Sequence, residues 1–187
     1  TGAKVTATVL GCIRNDYKDE FDVKILPCIQ IKKYKEVIDW YKHQLATKEP
    51  YIYNTFKCID VAGVPHMFAF GGLHGAPSQP IHRKGAIFHV DVNNYYPSML
   101  IAHDLVTRSA TNDNYVKIYN TRKALKMKQL SAKTKEEKNF YKAQQLPYKQ
   151  MLNSLSGAMK DKFNPAYDPR NNNTMCINGQ LMLLDLI

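Results

Sequence analysis

Two long helical patterns separated by only three residues constrain the fold of this chain more than any other feature. The patterns cover residues 113–131 and 134–160, and the break between them is the S-A-K sequence at 131–133. A break this short makes consecutive helices antiparallel neighbours, so the sequence predicts a helical hairpin. Pro147 lies inside the second pattern and predicts a kink or a restart of the helix at that point.

Most of the net positive charge of the chain lies in the same predicted hairpin. The 187 residues carry 26 lysines and arginines against 16 aspartates and glutamates, which gives a formal net charge of +10. Residues 115–150 contain ten of these cations and two of the acids, so this stretch alone accounts for +8. A helix face that is only solvated usually intersperses glutamates that pair with lysines at i,i+4. The excess therefore favours a polyanionic partner, either a nucleic acid or a nucleotide phosphate.

Composition excludes several other classes of protein. With 44% hydrophobic and 22% charged residues, the chain can bury a core and is not a disordered tail. We find neither a run of about 20 apolar residues nor a basic, apolar leader, so we expect a cytoplasmic protein without a membrane partner. The cysteines lack a C-x-x-C pair and the histidines lack zinc-module spacing, so we expect reduced, mostly buried thiols and ordinary polar histidine contacts.

Weaker patterns in the rest of the chain predict a mixture of helices and strands. Apolar spacing predicts an amphipathic helix, and β-branched and aromatic residues predict strands joined by glycine-containing turns. Glycine-rich and asparagine-rich stretches predict loops. The predicted elements are a helix at 35–45, strands at 51–60 and 64–70 with a turn at 62–63, irregular structure at 71–77, a strand at 86–92, a helix opening at 95–101 with Pro97 near its first turn, a loop at 164–173 and a helix at 174–187.

Asp91 stands near the end of the predicted strand A-I-F-H-V-D-V at 86–92. Alternation places Phe88 and Val90 on one face of this strand and Asp91 on the other. A carboxylate there is costly to bury without a partner. A helix-capping or salt-bridge role would satisfy it. A divalent metal would also satisfy it, because metal-assisted phosphoryl transfer needs a carboxylate on a rigid strand, and both roles remain open at this point.

Four short motifs, in this order along the chain, resemble those of the family B DNA polymerases. The F-G-G at 70–72 resembles the Y-x-G-G element of that family, and D-V-N-N-Y-Y-P-S at 91–98 resembles its motif A. The Y-N-T-R-K-A-L-K at 119–126 is similar to the first fingers helix, and K-Q-M-L-N-S-L-S-G at 149–157 resembles motif B. The sequence of the motif A-like segment is most similar to that of the phage and plasmid branch, which includes protein-primed enzymes.

The resemblance implies a DNA-directed DNA polymerase that adds dNTPs to a primer 3′-hydroxyl with two Mg²⁺ ions. Asp91 would be the catalytic carboxylate that binds both ions, and the carbonyl of Val92 would bind one of them, since Mg²⁺ takes oxygen ligands. Tyr96 would lie beneath the sugar of the incoming nucleotide, where its ring leaves no room for a 2′-hydroxyl. Deoxyribonucleotides would then be selected by steric exclusion of ribonucleotides.

The resemblance also implies that the two hairpin helices bind the nucleotide. Lys149, Asn153 and Gly157 are spaced four residues apart, so they share one face of the second helix. The resemblance puts that face against the nucleotide, with Lys149 on the phosphates. Arg122 and Lys126 share a face of the first helix and would clamp the same triphosphate.

Four further residues are expected to contact DNA. Gly71 and Gly72 belong to the glycine element, and His74 follows them closely in sequence. Ser156 occupies the position of the usual motif B tyrosine, next to the nascent base pair. The expected partners are therefore primer–template DNA, dNTP and, in the protein-primed branch, a terminal protein primer.

The expected fold is α+β, a partial polymerase palm of a small β-sheet plus helices with an inserted antiparallel two-helix fingers hairpin. We assign residues 1–65 to an N-terminal α+β segment, 66–105 to the palm part with motif A, 106–165 to the fingers and 166–187 to a returning palm helix. No tyrosine with paired aspartates, the motif C of this family, is found. We therefore expect a piece of a longer polymerase that is inactive alone, from a bacterial host cell if phage- or plasmid-encoded.

Two alternatives from other functional classes remain. The first is a non-catalytic basic nucleic-acid-binding module, in which the lysines bind phosphate and Asp91 is structural. The second is a helical protein-interaction domain without ligand chemistry. Salt-dependent DNA binding without an effect of dNTP favours the first alternative, and indifference to both DNA and dNTP favours the second.

Overall fold

The computed structural model describes residues 2–82 and 84–187, and within them the chain is α+β, as predicted. The described residues form six α-helices, one 3₁₀ helix and a three-stranded antiparallel sheet. None of these helices is both long enough and apolar enough to cross a membrane. The elements are α1 Gly2–Leu10, α2 Lys35–Thr47, the 3₁₀ helix Pro50–Asn54, β1 Phe56–Val61, β2 Val64–Ala69, β3 Gly72–Gly75, α3 Tyr95–Ala102, α4 Asn112–Ser131, α5 Lys135–Lys160 and α6 Pro169–Leu184.

The chain divides into two compact units. Unit 1 contains the residues up to Lys18 and Tyr96–Asn172, and unit 2 contains Asp19–Tyr95 and Asn173–Ile187. Unit 1 therefore holds α1, α4, α5 and nearly all of α3, while unit 2 holds α2, the sheet and most of α6. The predicted segments 1–65 and 66–105 each include one residue outside the described part of the chain, Thr1 and Arg83.

The predicted helical hairpin of unit 1 is confirmed within one residue at each end. Thr134 opens α5 with a capping box, in which its hydroxyl accepts from the Glu137 amide and the Glu137 carboxylate accepts from the Thr134 amide. The helix continues through Pro147, so the predicted restart is wrong. Helix α1, which the sequence did not predict, packs on α5, where the hydroxyls of Thr6 and Ser154 lie 2.7 Å apart.

The sheet of unit 2 contains the predicted strand pair and one additional strand. Strands β1 and β2 pair from Phe56 opposite Ala69 to Val61 opposite Val64, and the predicted turn at 62–63 joins them. The predicted strand 51–60 begins too early, because Pro50 opens a 3₁₀ helix that buries Ile52. The prediction of irregular structure at 71–77 is wrong, because β3 pairs with β2 through Gly72 opposite Ala69.

The core of unit 2 is mainly apolar, and a buried amide of α6 contacts it. Val37, Tyr41 and Leu45 are spaced at four residues along α2, and all three are buried in this core with Phe68 and residues of α6. The amide of Gln180 accepts from the Tyr41 hydroxyl at 2.9 Å and donates to the carbonyl of Ala69 at 2.8 Å. The polar group is therefore fully paired, and it links α2, β2 and α6.

The predicted strand at 86–92 is wrong. Residues 84–92 have no regular secondary structure, and Ile87, Phe88 and Val90 are nearly nine-tenths exposed. Alternation describes which faces a strand would present, but a strand forms only when a neighbour completes its hydrogen bonds. No other described segment pairs with this one.

The predicted loop at 164–173 is wrong in its second half. Helix α6 begins at Pro169, and the buried Asn171, Asn172 and Asn173 lie within it. Their composition favours a loop when only local bonds are considered. The Asn171 amide instead donates to the carbonyl of Val106, and the Asn173 amide donates to the carbonyl of Glu20, so tertiary contacts outweigh local preference.

The four cysteines are free, but the expectation that they are mostly buried is wrong. Cys176 is buried and Cys12 is half-buried, whereas Cys28 and Cys58 are exposed. Partial burial raises the pKa of the Cys12 thiol to about 11.

Candidate nucleotide-binding site

The seam between α4 and α5 contains a chain of polar side chains around a buried arginine. Arg122 is 9% exposed, and its Nε donates to Oε1 of Gln145 at 3.3 Å. Gln145 in turn donates through Nε2 to Oε1 of Gln129 at 3.4 Å. Lys126 donates from Nζ to the same Gln129 oxygen at 3.4 Å. Both cations that the resemblance assigned to the triphosphate are thus held by neutral amides.

In the part of the chain that the structure describes, these two cations have no carboxylate partner. Among the described residues, none lies within 4.0 Å of the charged groups of Arg122 or Lys126. Burial lowers the pKa of the Arg122 guanidinium, and the nearby phenol of Tyr119 acts in the opposite direction. Arginine nevertheless remains charged at neutral pH. A buried cation without a counter-charge is costly, so an anion that enters the seam would gain from neutralising it.

Tyr119 connects this seam to helix α3 within unit 1. Its hydroxyl lies 3.2 Å from the hydroxyl of Ser98, the last residue of the motif A-like segment. One turn earlier on α4, Tyr115 is 1% exposed and donates to the carbonyl of Leu152 at 3.1 Å, and burial raises its pKa. The Tyr119 hydroxyl therefore links α3 to α4, and the Tyr115 hydroxyl links α4 to α5.

The predicted nucleotide face of α5 is open to solvent. Lys149, Asn153 and Gly157 are all exposed, and a Cβ added at Gly157 would meet no atom within 4 Å. Ser156 is half-buried and donates to the carbonyl of Asn153 at 3.4 Å. Tyr96 of α3, in the same unit, is 38% exposed.

Asp91 and Val92 lie in the exposed, irregular segment of unit 2, before the turn that leads into α3. Asn94 in that turn has a φ of +54°, a left-handed conformation that asparagine tolerates better than most residues. The side chains of His, Cys, Asp and Glu in the described part of the chain form no group of three that could hold a metal ion. Asp91 and the Val92 carbonyl offer oxygen donors, but fewer than octahedral Mg²⁺ requires. By themselves these residues do not form a metal centre.

The residues expected to bind DNA in unit 2 lie at the β2–β3 turn. Gly71 is in the turn, and Gly72 begins β3. His74 is exposed on β3 and lines an open cavity of about 390 Å³ together with Cys58 and His66. These three predicted residues therefore belong to unit 2, whereas Ser156 belongs to unit 1.

Three residues of the seam were not singled out from the sequence. Tyr119 begins the segment that resembles the first fingers helix but was assigned no role, and Gln129 and Gln145 lie outside the motifs. All three nevertheless hold or adjoin Arg122 and Lys126. Spacing contained part of the signal, because Tyr119, Arg122, Lys126 and Gln129 follow the three-and-four pattern of one helix face. The alignment of Gln145 with Gln129 depends on the hairpin register, which spacing within one helix does not give.

Comparison of the chain with protein-family models, with curated protein sequences and with solved structures gave no match.

Proposed function

We propose that this chain is the palm–fingers part of a DNA-directed DNA polymerase of the family B type, and that its helical hairpin binds the triphosphate of an incoming dNTP. The observation that carries the proposal is the Arg122–Lys126 pair, two cations held by neutral amides in the hairpin seam. The motif resemblance assigns a triphosphate to this position. Neither cation has a carboxylate partner among the described residues, which supports an anion-binding role.

The chemistry of the two cations suits a triphosphate. The planar guanidinium of Arg122 is able to bind two phosphate oxygens at once, and the ammonium of Lys126 acts as a point charge one turn away. Lys149 on α5 is exposed and has no carboxylate partner among the described residues, so it is available to a phosphate. We assign phosphate binding to these three residues, contact with the base and sugar to Asn153, and close backbone approach to Gly157.

Catalysis in the proposed polymerase would use Mg²⁺, which supplies charge neutralisation at the reacting phosphates. Asp91 and Val92 are the proposed ligands from this chain. They provide only part of a coordination sphere, so we assign no chemical step to this chain alone. Tyr96, which is 38% exposed, is proposed to exclude ribonucleotides. Primer–template DNA is the proposed second partner.

The test is binding of dATP to the chain, measured by calorimetry and by the shift in melting temperature. We expect Arg122→Gln to weaken binding at least about tenfold, which corresponds to about 1.4 kcal/mol. Lys123→Gln is the matched control, because Lys123 is adjacent but exposed. Lys126→Gln provides a second variant in case the loss of Arg122 disturbs the seam. The proposal would be contradicted if Arg122→Gln and Lys126→Gln both left the dATP affinity unchanged, or if the unmodified chain did not bind dATP.

One observation favours the alternative of a basic nucleic-acid-binding module without catalysis. Asp91 lies in an exposed irregular segment, not on the rigid strand that metal-assisted chemistry would need. Under this alternative, the chain binds DNA in a salt-dependent manner, and neither dATP nor Arg122→Gln changes that binding. The calorimetric titration therefore separates the two functions.

A further inference from the structure

Helix α5 carries a row of exposed lysines on one side. These lysines, which we call the lysine stripe, are spaced three, four and seven residues apart. With about 100° of rotation per residue they fall within an arc of about 60°, and with 1.5 Å of rise they span about 21 Å. The members of the lysine stripe are Lys135, Lys138, Lys142 and Lys149.

The acidic residues of the hairpin do not neutralise the lysine stripe. Glu137 projects from the other side of α5, where its carboxylate accepts from the backbone amides of Lys133 and Thr134. Glu136, the remaining acid near the start of α5, is about 100° or more from every lysine of the stripe. Among the described residues, no carboxylate lies within 4.0 Å of a stripe ammonium. Like charges one turn apart on a helix repel each other, so the stripe favours an extended anion.

We propose that the lysine stripe binds the sugar–phosphate backbone of single-stranded nucleic acid. Four charges in a straight row fit several successive phosphates better than one isolated anion. A flexible single strand is able to follow a straight rod for 21 Å, whereas each backbone of a duplex winds away from it. The row ends at Lys149, so a bound strand would run toward the exposed face that carries Asn153. The proposal that this strand is the template rests on the proposed function, whereas the binding of a single strand to the lysine stripe does not.

The test is the salt dependence of oligo-dT affinity, measured by fluorescence anisotropy on the full chain. The stripe variant combines Lys135→Gln, Lys138→Gln and Lys142→Gln, and it leaves Lys149 intact because that residue belongs to the proposed nucleotide site. Each single-strand phosphate contact contributes about 0.7 to the slope of log K against log salt, so the slope should fall by about 2. The control variant removes the same charge from exposed positions of unit 2, through Lys24→Gln, Lys32→Gln and Lys42→Gln. Its slope should remain close to that of the unmodified chain.

Two results would overturn the inference. The first is an equal change of slope in the stripe and control variants, which would show a response to net charge alone. The second is an equal or larger loss of affinity for a duplex of the same length. The same variants separate this inference from the proposed function. The stripe variant should still bind dATP, whereas Arg122→Gln should leave the salt dependence of oligo-dT binding unchanged. Circular dichroism of each variant shows whether the exposed substitutions keep α5 folded.

Discussion

The ion pair between Asp168 and Arg108 offers the sharpest test of what stabilises unit 1. Asp168 is 0% exposed, and its carboxylate accepts from the Arg108 backbone amide at 2.8 Å, from Nε at 2.9 Å and from Nη2 at 2.7 Å. It also accepts from the Asn171 backbone amide at 3.3 Å, and this bond caps the start of α6. The guanidinium of Arg108 lies 3.9 Å from the ring centre of Tyr17. Asp168→Ala would therefore remove four hydrogen bonds and take away the buried carboxylate that pairs with the Arg108 guanidinium.

We expect Asp168→Ala to lower the free energy of unfolding by about 3 kcal/mol. Breaking a buried pair costs about 3–5 kcal/mol, and we take the lower end because the Arg108 side chain is 25% exposed and keeps some hydration. With a urea m-value of about 1.5 kcal/mol/M, the midpoint should fall by about 2 M. The assay is urea unfolding followed by circular dichroism at the helix band.

The chain offers a matched control in the exposed pair of Arg14 and Asp16. The distance from Nη2 of Arg14 to Oδ1 of Asp16 is 3.0 Å, but the Arg14 and Asp16 side chains are 53% and 76% exposed. Solvent screens such a pair, so Asp16→Ala should cost less than about 0.5 kcal/mol. A loss below about 1 kcal/mol for Asp168→Ala, or a loss equal to that of Asp16→Ala, would refute the view that burial makes the Asp168 pair important.

Two further predictions follow from the tyrosine and cysteine environments. Burial raises the pKa of Tyr115, so above about pH 10 the folded chain retains a proton that the unfolded chain releases. Stability should therefore fall as the pH rises through that range, and Tyr115→Phe should flatten the fall in unfolding midpoints measured against pH. For the thiols, mass spectrometry of alkylation at mildly alkaline pH should show fast modification of Cys28 and Cys58, slower modification of Cys12 with its pKa of about 11, and modification of Cys176 only after unfolding. Equal rates for Cys12 and Cys28 would contradict the burial of Cys12.

The parts of the fold that depend on nearby residues were predictable from the sequence. The hairpin is such a part, because a helical period and a three-residue break determine α4, α5 and their antiparallel arrangement. The turn at 62–63 is another, since Gly63 takes a positive φ without strain. The residues 149, 153 and 157 also share an exposed face of α5, as their spacing predicted.

The parts that depend on distant residues were not predictable from local patterns. The asparagines at the start of α6 are helical because their amides bond to segments far away in sequence, such as Val106 and Glu20. The burial of Arg122 depends on Gln145, which lies 23 residues later and on another helix. Residues 86–92 show the converse, because an alternating pattern does not supply the neighbouring strand that it needs.

The close fit of the third strand has a consequence for how this sequence can vary. Gly75 on β3 faces His66 on β2, and a Cβ added at Gly75 would overlap the imidazole ring. The histidine ring fills the volume that any side chain at position 75 would take. In related sequences the two positions are therefore expected to co-vary, with a larger residue at 75 accompanied by a smaller one at 66. A side chain at 75 would require the His66 ring to move, so the residue at either position limits what the other can accommodate.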